Sequence, residues 1–137
     1  MSVSERDESP NLSGLDAFAF EPQRVDKPWG YELVWAHSEH YCGKLIFVRK
    51  GEELSLQFHN SKDETVYLQE GKIEIEISEP GVRIPESEVV SAGAAFRIRP
   101  GVIHRWRALE DSVVLEASTP EVDDVVRLDD RYGRTDV

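Results

Sequence analysis

The stretch GEELSLQFHNSKDETVYLQEG, residues 51–71, decides the fold of this chain. Glycines enclose it, and between them SLQFH and TVYLQ are two short runs of the kind that forms β-strands. Side chains two residues apart on a strand point to the same side, so Gln57 and His59 project together. If the second run is the returning strand of a hairpin, Glu64 stands near its start, across from that pair. The stretch therefore predicts two strands that bring three polar side chains to one point.

Those side chains carry the donor atoms of a metal site. An amide oxygen, an imidazole nitrogen and a carboxylate oxygen that converge can bind a divalent ion. His104, in the turn-rich phrase RPGVIHRW, completes a set of four with Gln57, His59 and Glu64. A single histidine is more often a hydrogen-bonded core residue, and it is the set of four that indicates a metal. Zinc is the ion we expect first, and manganese, iron or nickel would accept the same ligands.

Composition limits the class of protein. The 137 residues suit one globular domain. With 16 Lys and Arg in no clear block and a net charge of −11, the chain lacks the basic face that nucleic acid requires. No apolar run approaches the roughly 18 residues of a membrane span, and the first residues do not resemble a secretory signal. The single Cys42 fits a reducing compartment. We therefore expect a cytoplasmic protein that binds neither nucleic acid nor membrane.

The rest of the chain predicts about ten short strands, no useful amphipathic helix and one domain. The clearest strand is KIEIEIS, residues 72–78, where isoleucine alternates with glutamate. Phe18 and Phe20 alternate and suggest a short edge strand. We expect a loosely attached tail over residues 1–16, a β-domain over 17–134 and a short tail over 135–137. Many short strands with regular turns indicate a sandwich or barrel.

Further residues are candidates for the chemistry of a barrel cavity. Trp106 is in phase with His104 and is expected to form a cavity wall. Lys44 and Glu116 lie on strands whose apolar positions are in phase with them. Lys44 is a candidate for holding a ligand anion, and either residue is a candidate for proton transfer. Arg97 belongs to a group of arginines around His104 that could reach an anionic ligand. For each charged residue, a solvated position on the strand surface is the alternative.

The spacing of these residues resembles the two motifs of the cupin superfamily. Gly51, Gln57, His59, Glu64 and Gly71 match the first motif, with glutamine in place of the usual first histidine. The phrase from 93 to 104 matches the second. The resemblance implies an all-β, single-domain cupin, a double-stranded β-helix or jelly-roll barrel, and a homodimer paired through outward strand faces.

A closer resemblance is to the cupin domain of type II mannose-6-phosphate isomerases. It rests on KPWGYE, LSLQFH and the terminal DDVVRLDDRYGR, and it covers roughly residues 24–134. It implies a metal-dependent sugar-phosphate isomerase that interconverts an aldose and a ketose, with mannose 6-phosphate as the best substrate. Lys62 stands where these isomerases carry an arginine, and it is the expected contact of the substrate phosphate. Thr65 stands where they carry a histidine.

Three function classes follow from these residues. The first is the isomerase, with Glu116 or Lys44 as the proton-transfer group and Lys62, Arg97 and Trp106 contacting substrate. The second is a non-catalytic metal-binding cupin that binds a sugar or another small metabolite. The third and least favoured is a metal-dependent oxygenase, which also uses open-sided cupin sites.

Overall fold

The computed structural model describes residues 10–78 and 86–136, and this part of the chain forms eleven β-strands and no helix. It accordingly holds no helix that could span a bilayer. The strands are β1 Gln23–Lys27, β2 Gly30–His37, β3 Cys42–Val48, β4 Leu56–Phe58, β5 Glu64–Glu70, β6 Lys72–Ser78, β7 Glu86–Ser91, β8 Ala95–Ile98, β9 Ile103–Ala108, β10 Ser112–Ser118 and β11 Val126–Asp129. The all-β prediction is confirmed, and β6 and β10 have the predicted bounds.

The strands form two antiparallel sheets that face each other. The six-stranded sheet has the order β1-β2-β3-β10-β5-β8, and the five-stranded sheet has the order β11-β4-β9-β6-β7. Consecutive strands β5 and β6 lie in different sheets, and the chain passes between them at Gly71. That glycine has a φ of +97°, and a Cβ there would lie 2.5 Å from the Asp111 carbonyl oxygen, so only glycine fits this turn.

Alternation along each strand sends one set of side chains into the space between the sheets. Apolar members of this set form the main core, among them Ile46, Leu68, Ile75, Trp106 and Val114. The inward set also includes charged residues, among them Lys44, Glu64 and Glu116.

The centre of the outward face of the six-stranded sheet is apolar as well, between Arg24 on β1 and the Arg97–Asp63 pair at β8. Leu33, Leu45, Leu115 and Tyr67 are register partners across four adjacent strands and form one continuous row. Tyr31 stacks on Phe47 beside that row, with ring centroids 5.2 Å apart. A solvated face of an antiparallel sheet normally carries polar residues, so this face has the composition of a covered surface.

The outward face of the five-stranded sheet is charged instead. Arg107 Nη2 lies 2.9 Å from Glu53 Oε2, and Arg107 Nη1 lies 3.2 Å from Glu74 Oε1. Arg105 Nη2 is 3.3 Å from Glu76 Oε2 on the neighbouring strand. These alternating charges pair with one another across β6 and β9.

Three expectations need adjustment. The predicted hairpin of residues 55–69 is wrong, because β4 pairs with β9 and β11 while β5 pairs with β10 and β8 in the other sheet. Residues 59–63 therefore cross from one sheet to the other. The edge strand at Phe18 and Phe20 is also wrong, since Phe18 lies in a bend, Phe20 has no regular structure, and the first strand begins at Gln23.

The third concerns the tail over residues 1–16, whose first nine residues, like the loop of Pro80, Gly81 and Pro85, lie outside the described part. Within residues 10–16, Leu15 is buried against the six-stranded sheet with Val34 and Cys42. The domain bounds otherwise stay a prediction.

Candidate metal centre

The four predicted metal ligands come from three strands and from the segment that directly follows one of them. Gln57 on β4 and His104 on β9 are register partners in the five-stranded sheet. His59 follows directly after β4, and Glu64 opens β5 in the opposite sheet. The ligand positions therefore meet across the gap between the sheets rather than across a hairpin. His59, Glu64 and His104 are all buried, and the donor atoms of these three lie within 4.8 Å of one another.

The backbone fixes the orientation of both histidine rings. His59 Nδ1 donates to the Asp124 carbonyl oxygen at 2.6 Å, and His104 Nδ1 donates to the Val102 carbonyl oxygen at 2.9 Å. A carbonyl oxygen only accepts hydrogen bonds, so each Nδ1 carries the proton and each Nε2 presents a lone pair. Both Nε2 atoms are buried without a hydrogen-bond partner. This is the arrangement found in metal-binding histidines, whose second nitrogen is held by an outer partner.

The free nitrogen atoms face the same carboxylate oxygen. Glu64 Oε1 lies 3.6 Å from His59 Nε2 and 3.5 Å from His104 Nε2. Three acceptors brought together in a buried site repel one another unless a cation lies between them. Tetrahedral ligands at about 2.0–2.2 Å from a zinc ion are separated by roughly 3.4 Å, which agrees with these spacings. The residues present therefore fit a divalent ion.

Charge effects prepare these ligands for a cation. Burial lowers the pKa of His104 to about 4, which keeps its ring neutral near pH 7. Burial alone would raise the pKa of Glu64, but Lys62, His59 and His104 together outweigh it and hold that pKa well below its usual range. At neutral pH the centre thus presents a carboxylate and a neutral imidazole as ligands.

Gln57 is placed beside these three residues as a fourth ligand candidate. Its side chain is half-buried and lines the same cavity. Its Oε1 accepts a hydrogen bond from Ser55 Oγ at 3.0 Å. An amide oxygen has two lone pairs, so Gln57 can keep this bond and still bind an ion.

Lys62 joins the metal centre to Glu116. The Lys62 Nζ atom lies 2.9 Å from Glu64 Oε2 and 3.1 Å from Glu116 Oε2, and all three side chains are buried. Burial acts to lower the pKa of Lys62, but the two carboxylates outweigh it and raise that pKa. Burial raises the pKa of Glu116 against the opposing charge of Lys62. A carboxyl group with a raised pKa beside a metal site is a candidate for proton transfer.

Lys44 forms a second buried ion pair in the same cavity. Its Nζ lies 3.1 Å from Glu32 Oε1. Burial acts to lower the pKa of Lys44, but the charges of Glu32 and Glu116 outweigh it and raise that pKa. Lys44 is therefore an ammonium group at neutral pH and is not placed to act as a base.

The cavity has a volume of about 270 Å³, close to the lower end of the range of roughly 300 to 1,000 Å³ typical of small-molecule sites. Seven of the nine residues proposed from the sequence line it: Lys44, Gln57, His59, Lys62, Glu64, Trp106 and Glu116. His104 lies just behind them, and its Nε2 faces Glu64.

Arg97 is the residue that the structure does not bring to this cavity. Its neighbour Ile98 points into the core, so alternation sends Arg97 to the outer face. There its guanidinium group forms two hydrogen bonds with the Asp63 carboxylate, at 2.6 and 3.2 Å. The expectation that Arg97 contacts substrate therefore has no geometric support.

Sequence reasoning missed two residues of this region. Glu32 lies in the run GYELVWA, which is apolar on both sides of it, and nothing in that run distinguishes an inward glutamate. Asp124 lies in the charged segment before β11, and its bonds reach residues 59–62. Both roles depend on strand order, which the local pattern does not contain.

The chain is similar to proteins of mannose metabolism. The family model described as mannose-6-phosphate isomerase C-terminal matches residues 18–130. Mannose-1-phosphate guanylyltransferase ManC of Salmonella typhimurium is 35% identical over 116 residues, which are 82% of this chain and 23% of that protein. Xanthan biosynthesis protein XanB of Xanthomonas campestris pv. campestris is 30% identical over 116 residues, 82% of this chain and 24% of that protein. The chain thus spans about a quarter of the length of these curated relatives.

Solved structures share the fold at lower identity. KdgF from a Halomonas species is 24% identical with a TM-score of 0.60, covering 68% of this chain and 80% of that one. The capsular polysaccharide assembling protein CapF from Staphylococcus aureus is 15% identical with a TM-score of 0.71, covering 88% of this chain and 39% of that one. These similarities establish a cupin fold.

Proposed function

Because the chain belongs to the mannose-6-phosphate isomerase C-terminal family, we propose that it is a metal-dependent isomerase of a phosphorylated sugar. Mannose 6-phosphate is the expected substrate, and the reaction interconverts an aldose and a ketose. The observation that carries the proposal is the position of Glu116, a buried carboxyl group joined through Lys62 to the candidate metal ligand Glu64. Metal ligands and a proton-transfer group then share one cavity.

The cofactor in this proposal is one divalent ion, with zinc first and manganese, iron or nickel as alternatives. His59, Glu64 and His104 would hold it, with Gln57 as the fourth ligand. A bound ion would supply Lewis-acid polarisation of the sugar carbonyl group.

Glu116 is the proposed catalytic base, since it lines the cavity and its raised pKa suits a group that both takes and returns a proton. In the aldose-to-ketose direction the carboxylate removes the proton from C2, and an enediol forms. The carboxyl group then returns the proton to C1, while the hydroxyl proton of O2 passes to O1. No oxidant or other reactant is needed, because the substrate and product are isomers.

The buried lysines act through their charge. Lys62 favours the ionised forms of Glu64 and Glu116, and Lys44 with Glu32 extends the network along the six-stranded sheet. For the substrate phosphate we keep Lys62, the contact that the resemblance implies, and the cations Lys27 and Arg127 add positive charge to the lining of the same cavity. Trp106 forms the apolar wall.

The experiment is a coupled isomerase assay on protein loaded with each candidate metal. We expect conversion of mannose 6-phosphate to its ketose isomer, and we expect Glu116→Gln to lower kcat by about 100- to 10,000-fold. Glu110→Gln, a carboxylate in the turn between β9 and β10, serves as the matched control and should leave kcat unchanged. An active Glu116→Gln variant would contradict the assignment of the base.

A non-catalytic metal-binding cupin is the second candidate. It is favoured by Lys62, which stands where the related isomerases carry arginine and whose ammonium group is engaged by two carboxylates. The departure at Thr65 has less weight, since that side chain is exposed on the outer face. Binding of hexose phosphates without turnover would favour this candidate, and dioxygen consumption would favour an oxygenase.

A homodimer is also part of the proposal, and the apolar outer face of the six-stranded sheet is its interface. Tyr67 is 44% exposed and Trp35 is 50% exposed on that face. The row of Leu33, Leu45, Leu115 and Tyr67 at the centre of this face carries no charge, so like charges do not oppose self-association along it. Tyr67→Glu should convert a dimer into a monomer in light scattering. The buried Cys42 thiol agrees with the expected cytoplasmic location.

A further inference from the structure

Asp124 binds four consecutive residues of the segment that crosses between the sheets. Its carbonyl oxygen accepts from His59 Nδ1 at 2.6 Å. Its carboxylate accepts from three backbone amides, those of Asn60 at 2.9 Å, Ser61 at 2.6 Å and Lys62 at 2.9 Å. One residue between β10 and β11 therefore organises the whole turn that begins at a candidate metal ligand.

The carbonyl oxygen and the carboxylate of Asp124 bind different groups. The carbonyl sets the tautomer of His59, so that Nε2 presents its lone pair toward Glu64. Because the acceptor of this bond is a backbone atom, substitution of the Asp124 side chain does not remove it. The carboxylate instead holds the turn itself, and it does so with charge-assisted hydrogen bonds, which are the stronger kind.

The turn held by that carboxylate connects two candidate ligands. His59 precedes it and Glu64 follows it, and these residues belong to different sheets. Asp63, the last residue before β5, is joined to Thr119 by two hydrogen bonds of 3.0 Å: the Asp63 amide donates to Thr119 Oγ1, and the Thr119 amide donates to the Asp63 carbonyl oxygen. Residues 119–124 thus fix both ends of the path between the ligands. Fixing that path before an ion binds removes an ordering cost from binding.

We propose that Asp124 is a positioning residue of the metal centre, and that its carboxylate raises metal affinity by holding the turn between His59 and Glu64. The residue does not touch the ion or the substrate. This inference rests on the metal centre of the proposed function, but it does not depend on which sugar is bound or on turnover.

The test is Asp124→Asn, which keeps the backbone carbonyl and the side-chain size but replaces an accepting oxygen with an NH₂ group. Such a group cannot accept a hydrogen bond, so at least one of the three backbone amides loses its partner. We expect the dissociation constant for Zn²⁺, measured by competition with a chromophoric chelator, to rise about 10- to 100-fold. We also expect the absorption bands of the Co²⁺-loaded variant to shift or weaken, because the ligands no longer keep one geometry.

Asp111→Asn is the matched control. The Asp111 carboxylate also accepts from a backbone amide, that of Lys50 at 2.8 Å, but no candidate ligand lies in either connection. We expect this variant to lower the Tm of the metal-free protein without changing Zn²⁺ affinity or the Co²⁺ spectrum. If Asp124→Asn does not fold, Asp124→Glu, which keeps the charge but displaces it by one methylene, should show the weaker affinity.

The outcomes separate this inference from the proposed function. Wild-type protein that binds no divalent ion would overturn both. Wild-type protein that binds Zn²⁺ with an affinity equal to that of a folded Asp124 variant would overturn only the role of Asp124. Equal losses of affinity in Asp124→Asn and Asp111→Asn would also overturn it, since the effect would then come from general destabilisation.

Discussion

Carboxylates and cations are paired in two regions of this molecule, inside the cavity and on the outer face of the five-stranded sheet. Lys62 inside and Arg107 outside each lie within 3.2 Å of two carboxylates. The Lys62 side chain is 7% exposed, whereas that of Arg107 is 38% exposed. The pairs therefore look alike as contacts and differ in their access to water.

The difference in exposure separates charges that are costly to bury from charges that solvent screens. Exposed pairs are screened by solvent and contribute little to stability. Buried charges are costly to desolvate, so removing one partner leaves the other uncompensated. The buried cluster of Glu64, Lys62 and Glu116 therefore contributes little net stabilisation to the fold. The proposed proton transfer beside a metal ion would account for the burial of these charges.

The largest expected contrast comes from Lys62→Met. In the metal-free protein this change leaves Glu64 and Glu116 buried without their cation, and we expect the unfolding free energy to fall by about 3 to 5 kcal/mol. A divalent ion restores positive charge, so the loss should be smaller in its presence, and metal affinity should not decrease. Urea denaturation with a chelator and with Zn²⁺ measures both effects. If the variant were as stable as the wild type in chelator, the buried and the exposed charges would not differ in their effect on stability.

A much smaller effect is expected from Glu74→Gln on the outer face. Glu74 Oε1 lies 3.2 Å from Arg107 Nη1, and Arg107 keeps its second partner, Glu53. We expect the unfolding free energy to fall by about 0.2 to 1 kcal/mol in the same urea experiment. Metal affinity should be unchanged. A loss comparable to that of Lys62→Met would show that exposure does not distinguish the two networks.

For Arg97→Ala we expect no effect on substrate binding, because Arg97 belongs to the outer charges and not to the cavity. Its ion pair with Asp63 lies on the outer face of the six-stranded sheet, away from the cavity-lining residues. The KM for mannose 6-phosphate should therefore equal that of the wild type in the coupled assay. A raised KM would show that Arg97 contacts the substrate, as its position in the sequence suggested.

Much of this arrangement is visible in the sequence because alternation is a local property. Ile73 and Ile75 point inward and Glu74 points outward, as the pattern of KIEIEIS predicts. The same rule placed Trp106 with His104 and Glu116 with Val114 on inward faces. Spacing thus nominated six of the residues that line the cavity, and the family resemblance added Lys62.

What the sequence did not reveal depends on contacts between distant residues. Lys62 and Glu116 are 54 positions apart, and their contact requires β5 to lie beside β10. The hairpin prediction failed for the same reason, since proximity in sequence suggested a pairing that the two-sheet topology does not make. Arg97 was misplaced because a cluster of arginines in sequence says nothing about which face each occupies.

The central claim is that His59, Glu64 and His104 form a metal centre, and the most direct test is titration of metal-stripped protein with Zn²⁺. Wild-type protein and His40→Ala, which alters a surface histidine that is 79% exposed, should each bind one ion per chain. They should gain stability by mass action, about 2.7 kcal/mol at a free ion concentration 100 times the Kd. His59→Ala and His104→Ala should lose this binding and this gain. Stoichiometric binding of unchanged affinity in His104→Ala would contradict the account.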